Sequence, residues 1–199
     1  MTSVLGEPVE HRQLKDSVYL KLRQEIVTAT LPPGYVLREA ELARSAVVTG
    51  YSQQDLREIY EVRELLEGLC AREAAVSIAT EDLAALNRIV RDSAAAFEAG
   101  DTGRLTALLD EFDVVLYSQS RNSRITAMLE NIRDHVTRIG RLTVAIPGRM
   151  GTSVREHEAI YEAIVQRDGP RAETLMRQHI LSVMADQLAS LDPDSVLPQ

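Results

Sequence analysis

The sequence predicts an all-α protein, a six-helix bundle preceded by a short helical module. Three observations carry this. Apolar residues make up 45% of the 199, yet only 4% are aromatic and Trp is absent. Leu, Val, Ile and Ala must therefore build the core, a mix suited to packed helices. Beyond residue 52 apolar residues recur at three- and four-residue spacing, and turn signals at Gly100, Arg121-Asn122-Ser123, Pro147-Gly148 and Asp168-Gly169-Pro170 divide that stretch into helix lengths.

The elements follow in order. Leu14, Val18, Leu22 and Ile26 place one apolar stripe on a first helix over 13–29. Leu31-Pro32-Pro33-Gly34 ends it. A second, short helix is expected over 38–44 and a β-like run over 46–49. Ser52 then opens a long helix, with Asp55 three residues later close to a capping box. Ile59, Val62, Leu66, Leu69 and Ala74 mark its expected buried face as far as about Ala79. Thr80 with Glu81 and Asp82 starts the next helix, which runs to Ala99 and is closed by Gly100. Asp101 begins a third, with Leu105, Leu108, Phe112, Val115 and Leu116 inward. A fourth runs from about Ser123 to Ala145. Thr152 or Ser153 caps a fifth, ending near Arg167. Pro170 suits the first turn of a sixth, reaching about Leu191. The domains expected are 1–51, 52–191 and a polar tail, 192–199.

Net charge is −8, which excludes a generally basic coat for nucleic acid. The first 51 residues are neutral, however, and hold both lysines, Lys15 and Lys21. A small DNA-reading arm on an acidic body has this distribution, and so does ordinary surface variation. The single cysteine, Cys70, forms no internal disulfide, which fits a reducing cytoplasm, and its apolar neighbours mark it as a small buried hydrophobe. The N-terminal stretch lacks the apolar centre of a signal peptide, and no run approaches the roughly 20 apolar residues of a membrane span. A cytoplasmic protein with no membrane partner is expected.

Three stretches carry a family resemblance. The first is Leu20 to Ala43, with its Pro-Gly turn and the run Leu37-Arg38-Glu39-Ala40-Glu41-Leu42-Ala43. The second is Ser52 to Glu67, and the third pairs Arg155-Glu156-His157-Glu158-Ala159-Ile160 with Arg177-Gln178-His179-Ile180. In order and spacing the chain resembles the GntR family of bacterial transcription regulators, in its FadR-like branch with a short, VanR-type FCD effector domain. The resemblance implies a homodimer in which an all-helical domain binds a small organic acid and controls an N-terminal winged helix-turn-helix on operator DNA. It implies no enzyme, and the sequence has no Ser/His/Asp order, no Gly-rich phosphate loop and no Glu-x-x-His pair on a helix. One departure is large. Near residues 43–46 the recognition-helix segment of the family is missing, so the winged helix-turn-helix is truncated and nothing remains to read base edges. Either the deletion is genuine, leaving a stand-alone ligand sensor or dimerisation partner, or the segment belongs to a longer protein. The family pattern kept on both sides of the seam favours the second.

The resemblance also implies a metal site built from one Asp and three His. His157 and His179 match two of these positions, each on an apolar stripe. In Leu109-Asp110-Glu111-Phe112-Asp113 the family His is replaced by Asp113 and the family Asp by Leu109. The expected set is Asp113, His157 and His179, holding a divalent metal such as Zn, Ni or Mn. The same residues could instead form a plain hydrogen-bonded network. Arg63 is expected to hold the effector carboxylate or to pair with Glu67 one turn on. Arg138 and Arg141 are further candidates for that role. Lys15, Lys21 and Arg23 are the candidate phosphate contacts on DNA.

Overall fold

A computed structural model of the chain describes residues 8–38, 45–47 and 50–190, without the side chains of 8–17, 38, 45–47 and 142. The chain divides into two units between Gly50 and Tyr51.

The first unit holds α1 (Pro8–Val27), β1 (Val36–Arg38) and β2 (Ser45–Val47). The strands pair antiparallel, with Leu37 opposite Ala46. Arg38 therefore ends a strand instead of opening the expected second helix, whose remaining residues, 39–44, lie outside the described residues. The β-like run is found at β2. On α1, Leu22 and Ile26 are half-buried, but Val18, Tyr19 and Leu20 are exposed. The expected stripe thus lacks a covering surface at Val18.

The second unit is six helices: α2 (Gln53–Ser77), α3 (Thr80–Glu98), α4 (Thr102–Ser118), α5 (Ser123–Thr143), α6 (Arg149–Val165) and α7 (Gly169–Ser190). Their ends follow from local chemistry. Ser52 and Asp55 form the expected capping box, each side chain bonded to the other's backbone N–H. Gly100 adopts φ 68°, the left-handed value that ends a helix without a Cβ penalty. Asp101 then accepts from the Arg104 N–H to start α4. The fifth helix of the bundle, α6, begins at Arg149, ahead of the expected Thr152 or Ser153. The preceding residue, Gly148, has φ 77°, so the chain turns there and the helix starts at once. Arg167 reaches back to the Ile78 carbonyl, 3.3 Å away, and so satisfies the C-terminal end of α2. The tail 192–199 lies outside the described residues.

One large core runs through the bundle, built around Tyr60, Leu86, Ile89, Phe112, Leu116, Ile160, Met176 and Ile180. A smaller cluster joins Cys70 to Ile125 and Leu129 between α2 and α5. Cys70 is fully buried, and burial, with Glu67 and Glu73 nearby, pushes its thiol up to about 12. It is a packing residue, as its neighbours imply. Gln187 on α7 ties three helices together. It accepts from Tyr60 Oη at 3.1 Å, donates to the Ile139 carbonyl at 3.0 Å and bonds Thr143 Oγ1. No helix among the described residues is long and apolar enough to cross a membrane.

The face that α2 buries is not the expected one. Of the expected face, Ala74 is buried and Ile59, Leu66 and Leu69 are half-buried, but Val62 is 40% exposed, whereas Leu56, Tyr60, Arg63, Glu67 and Ala71 are buried. The buried stripe is rotated by about one residue and carries an ion pair into the interior.

Candidate functional site

Five helices of the bundle line a cavity of about 70 Å³. α2 contributes Tyr60 and Arg63, α4 Asp110 and Asp113, α5 Val136, Gly140 and Thr143, α6 Ser153 and His157, and α7 His179 and Val183. The spacings of three or four residues put each pair on one helix face. Leu109, Val144 and Met150 complete an apolar wall.

His157 and His179 meet at this wall. Their Nε2 atoms are 3.3 Å apart and the rings stand edge to face. His157 also stacks on Phe112, with ring centroids 4.3 Å apart and planes at 22°. His179 Nδ1 lies 2.7 Å from Glu156 Oε2. A carboxylate there accepts the Nδ1 proton. The buried Nδ1 of His157 has no partner. Burial, with His179, Arg149 and Arg63 nearby, holds His157 well below the usual imidazole range, so its ring is neutral. Burial alone would raise Glu156, but the His179 hydrogen bond and the neighbouring cations hold it below the usual carboxylate range.

Behind Glu156 sits a fully buried cation. Arg149 donates to Ser153 at 3.2 Å, Ser182 at 2.7 Å and Asp186 at 3.0 Å, and it ion-pairs with Glu156. Two carboxylates and two hydroxyls thus satisfy one guanidinium, the condition for burying it at tolerable cost. The chain Arg149–Glu156–His179–His157 connects the start of α6 to α7 and to the cavity.

On the opposite side, Arg63 Nε donates to Glu67 Oε1 at 2.6 Å, and its guanidinium lies over the Tyr60 ring. Burial alone would lower Arg63, but the Glu67 charge beside it holds it protonated. Asp113 is in a different position. Its Oδ1 is shut from solvent and has no hydrogen-bond partner. Burial and the Glu67 and Asp110 charges outweigh the attraction of Arg63 and hold the carboxyl well above its ordinary range.

Residues 58–182, most of this bundle, match the FCD domain. The chain belongs to the FCD domain family. A relative in Streptomyces ambofaciens, an uncharacterised HTH-type transcriptional regulator in an unstable DNA locus, is 26% identical over 211 positions, covering 88% of this chain and 85% of its own length. Among solved structures, Escherichia coli McbR/YncC superposes with a TM-score of 0.74 at 18% identity, covering 89% of this chain and 99% of that one. A transcriptional regulator of the GntR family from Pseudomonas syringae pv. tomato superposes with a TM-score of 0.56 at 19% identity, covering 85% and 82%. At these identities the two structures speak for the fold.

Within the FCD bundle, the residues expected from sequence separate clearly. Arg63, Asp113, His157 and His179 all line the one cavity, and the two histidines touch. Arg141 is not on the lining; its charge acts on Asp110, and its buried Nε has no partner. Arg138 lies over the Tyr51 ring, 4.9 Å from its centroid, and is not on the lining either. Lys21 and Arg23 are exposed on α1; the side chain of Lys15 lies outside the described residues. A tightly held divalent metal wants about three protein donors. The facing Nε2 atoms supply two, and no group of three His, Cys, Asp or Glu side chains able to hold a metal forms among the described residues. Asp113 lines the same cavity as the two imidazoles. Sequence reasoning missed Arg149 and Glu156, and gave the Arg63–Glu67 pair, which forms, as an alternative to effector binding. The signal available was spacing, since Arg149, Ser153 and Glu156 fall on one helical face, as do Arg63 and Glu67.

Proposed function

We propose that this chain is a ligand-controlled transcription regulator of the GntR type, working as a homodimer. A small organic acid enters the FCD cavity, pairs with Arg63 and changes the affinity of two N-terminal heads for operator DNA. The observation that supports this reading best is the cavity with a buried, permanently charged arginine in its wall, inside a fold whose relatives carry the names of transcription regulators. Of the three arginines considered for the acid, Arg63 is the one on the cavity lining. The acid is taken as the occupant; a stoichiometric metal content in the purified protein would point instead to a metal held by His157, His179 and Asp113.

The heads need a recognition segment that these 199 residues do not contain. Two observations support a longer natural protein. The alignment with the Streptomyces ambofaciens relative spans 211 positions but draws on only 88% of this chain, so the relative has residues that this chain lacks. On α1, Val18, Tyr19 and Leu20 lie exposed, as they would beside an absent packing partner. In the alternative reading the deletion is genuine and the chain senses its ligand without reading DNA. An intact mass separates the two: 22.1 kDa for the chain as it stands, a few kilodaltons more with the segment.

Sedimentation should show a species of twice 22.1 kDa. With the segment, operator affinity should fall steeply with salt, since Lys15, Lys21 and Arg23 are proposed to lie against phosphates. A clean monomer at micromolar concentration, or binding indifferent to salt, contradicts the reading.

A further inference from the structure

We propose that the acid taken by this cavity carries a protonated amine, with its carboxylate on Arg63 and its ammonium on Asp113. The inference rests on the small-acid reading above and adds a second charge to it.

The charges around the cavity do not pair off evenly. Arg63 on α2 is matched by Glu67, 2.6 Å away. Asp110 on α4 feels burial first, and then the attraction of Arg141, Arg133 and Arg63. Asp113, on the same face of α4, has two like charges near it, Glu67 and Asp110, and one attraction, Arg63. No ion pair among the described side chains reaches it. From α6, His157 faces the cavity as a neutral ring and contributes no positive charge. Asp113 is thus left with a buried oxygen that lacks a donor.

A simple carboxylate anion would reach the guanidinium but leave Asp113 Oδ1 without a donor. Burying an unmatched charge is costly, and charge complementarity is what sets preference between similar ligands. An ammonium group supplies N–H donors for Oδ1 and a positive charge that favours the ionised carboxylate. A ligand with both ends brings no net charge into the site. Leu109, Val136, Val144 and Met150 wall the cavity, so the link between the two ends would lie against apolar side chains.

The test is calorimetric titration of the full chain near neutral pH with matched pairs: glycine and acetate, β-alanine and propionate, 4-aminobutyrate and butyrate. In the pair of fitting length the amino acid should bind at least about tenfold more tightly than its deamino partner. Asp113→Asn, which keeps the side-chain volume, should bring the two members within about twofold, whereas Arg63→Lys should weaken both. Equal binding of amino and deamino partners by the unaltered protein overturns the amine and leaves the acid reading standing. Binding of none of the six also overturns this proposal, while the acid reading is then decided separately by operator titration with longer acids. Stoichiometric metal that disappears in Asp113→Asn makes Asp113 a metal ligand and overturns it as well.

Discussion

Replacing Arg63 by methionine should cost the helical bundle about 3–5 kcal/mol near neutral pH, because it leaves a buried carboxylate unmatched. Glu67 is fully buried and, among the described residues, its one ion pair is with Arg63. Asp113 loses its single attractive neighbour at the same time. The sign of the pH dependence follows. Asp113 already sits above its ordinary value of 3.8 in the folded protein, and removing Arg63 pushes it higher, while the unfolded chain keeps the ordinary value. The folded variant therefore binds more protons than the unfolded one, and its stability falls as pH rises from about 4 through the raised folded value. Urea unfolding of variant and parent at pH 5 and pH 8 checks this. The deficit should be clearly smaller at pH 5. A loss under about 1 kcal/mol, or the same loss at both pH values, would show that the carboxylates reach solvent once Arg63 is gone.

Phe112→Ala should be comparably severe, about 3–5 kcal/mol, with a fall in Tm of roughly 10 °C. Phe112 is completely buried in the main core. It also supports the site, since its ring stacks on His157. Removing it leaves a hole beside an imidazole whose position depends on that contact, so ligand affinity should fall along with stability. Phe112→Leu separates the two effects. Leucine refills most of the volume and should cost less than about 1.5 kcal/mol, yet it cannot stack, so the loss of affinity should persist. Thermal unfolding and ligand titration on both variants measure this. Full affinity in Phe112→Leu would show that the stack does not position His157.

The bundle was legible in the sequence wherever a residue announces a backbone event. Ser52 with Asp55, Gly100 with Asp101, and Asp168 before Pro170 mark helix ends by chemistry that needs no tertiary context, and the helices end there. The start of α6 was misread because Gly148 in a left-handed conformation allows the helix to begin without a side-chain cap. The inward histidines were legible because each lies on a stripe otherwise apolar. The buried face of α2 was not. Hydropathy passes over Arg63 and Glu67, so the face was assigned to Val62 and its neighbours, one position round the helix. Charged residues are rarely buried unless paired, and Arg63 and Glu67 pair with each other at i,i+4. Arg149 was hidden for the same reason: its acidic partner Asp186 and its hydroxyl partner Ser182 lie on α7, more than thirty residues away. Asp113 was recognised as inward, but its lack of a partner is a fact of three helices together.

The central claim is that a small acid in the FCD cavity governs DNA binding. It is tested most directly by fluorescence anisotropy of a labelled fragment from upstream of the gene, titrated with the segment-containing protein in the presence and absence of saturating short-chain acids. Linkage requires the ligand to change operator affinity by its own differential affinity for the two states, typically about 5- to 150-fold. That change is expected in the unaltered protein and should shrink to about twofold or less in Arg63→Lys, where the point charge remains but the planar fork is lost. Operator affinity that no acid alters, or an acid response that survives intact in Arg63→Lys, would contradict the account.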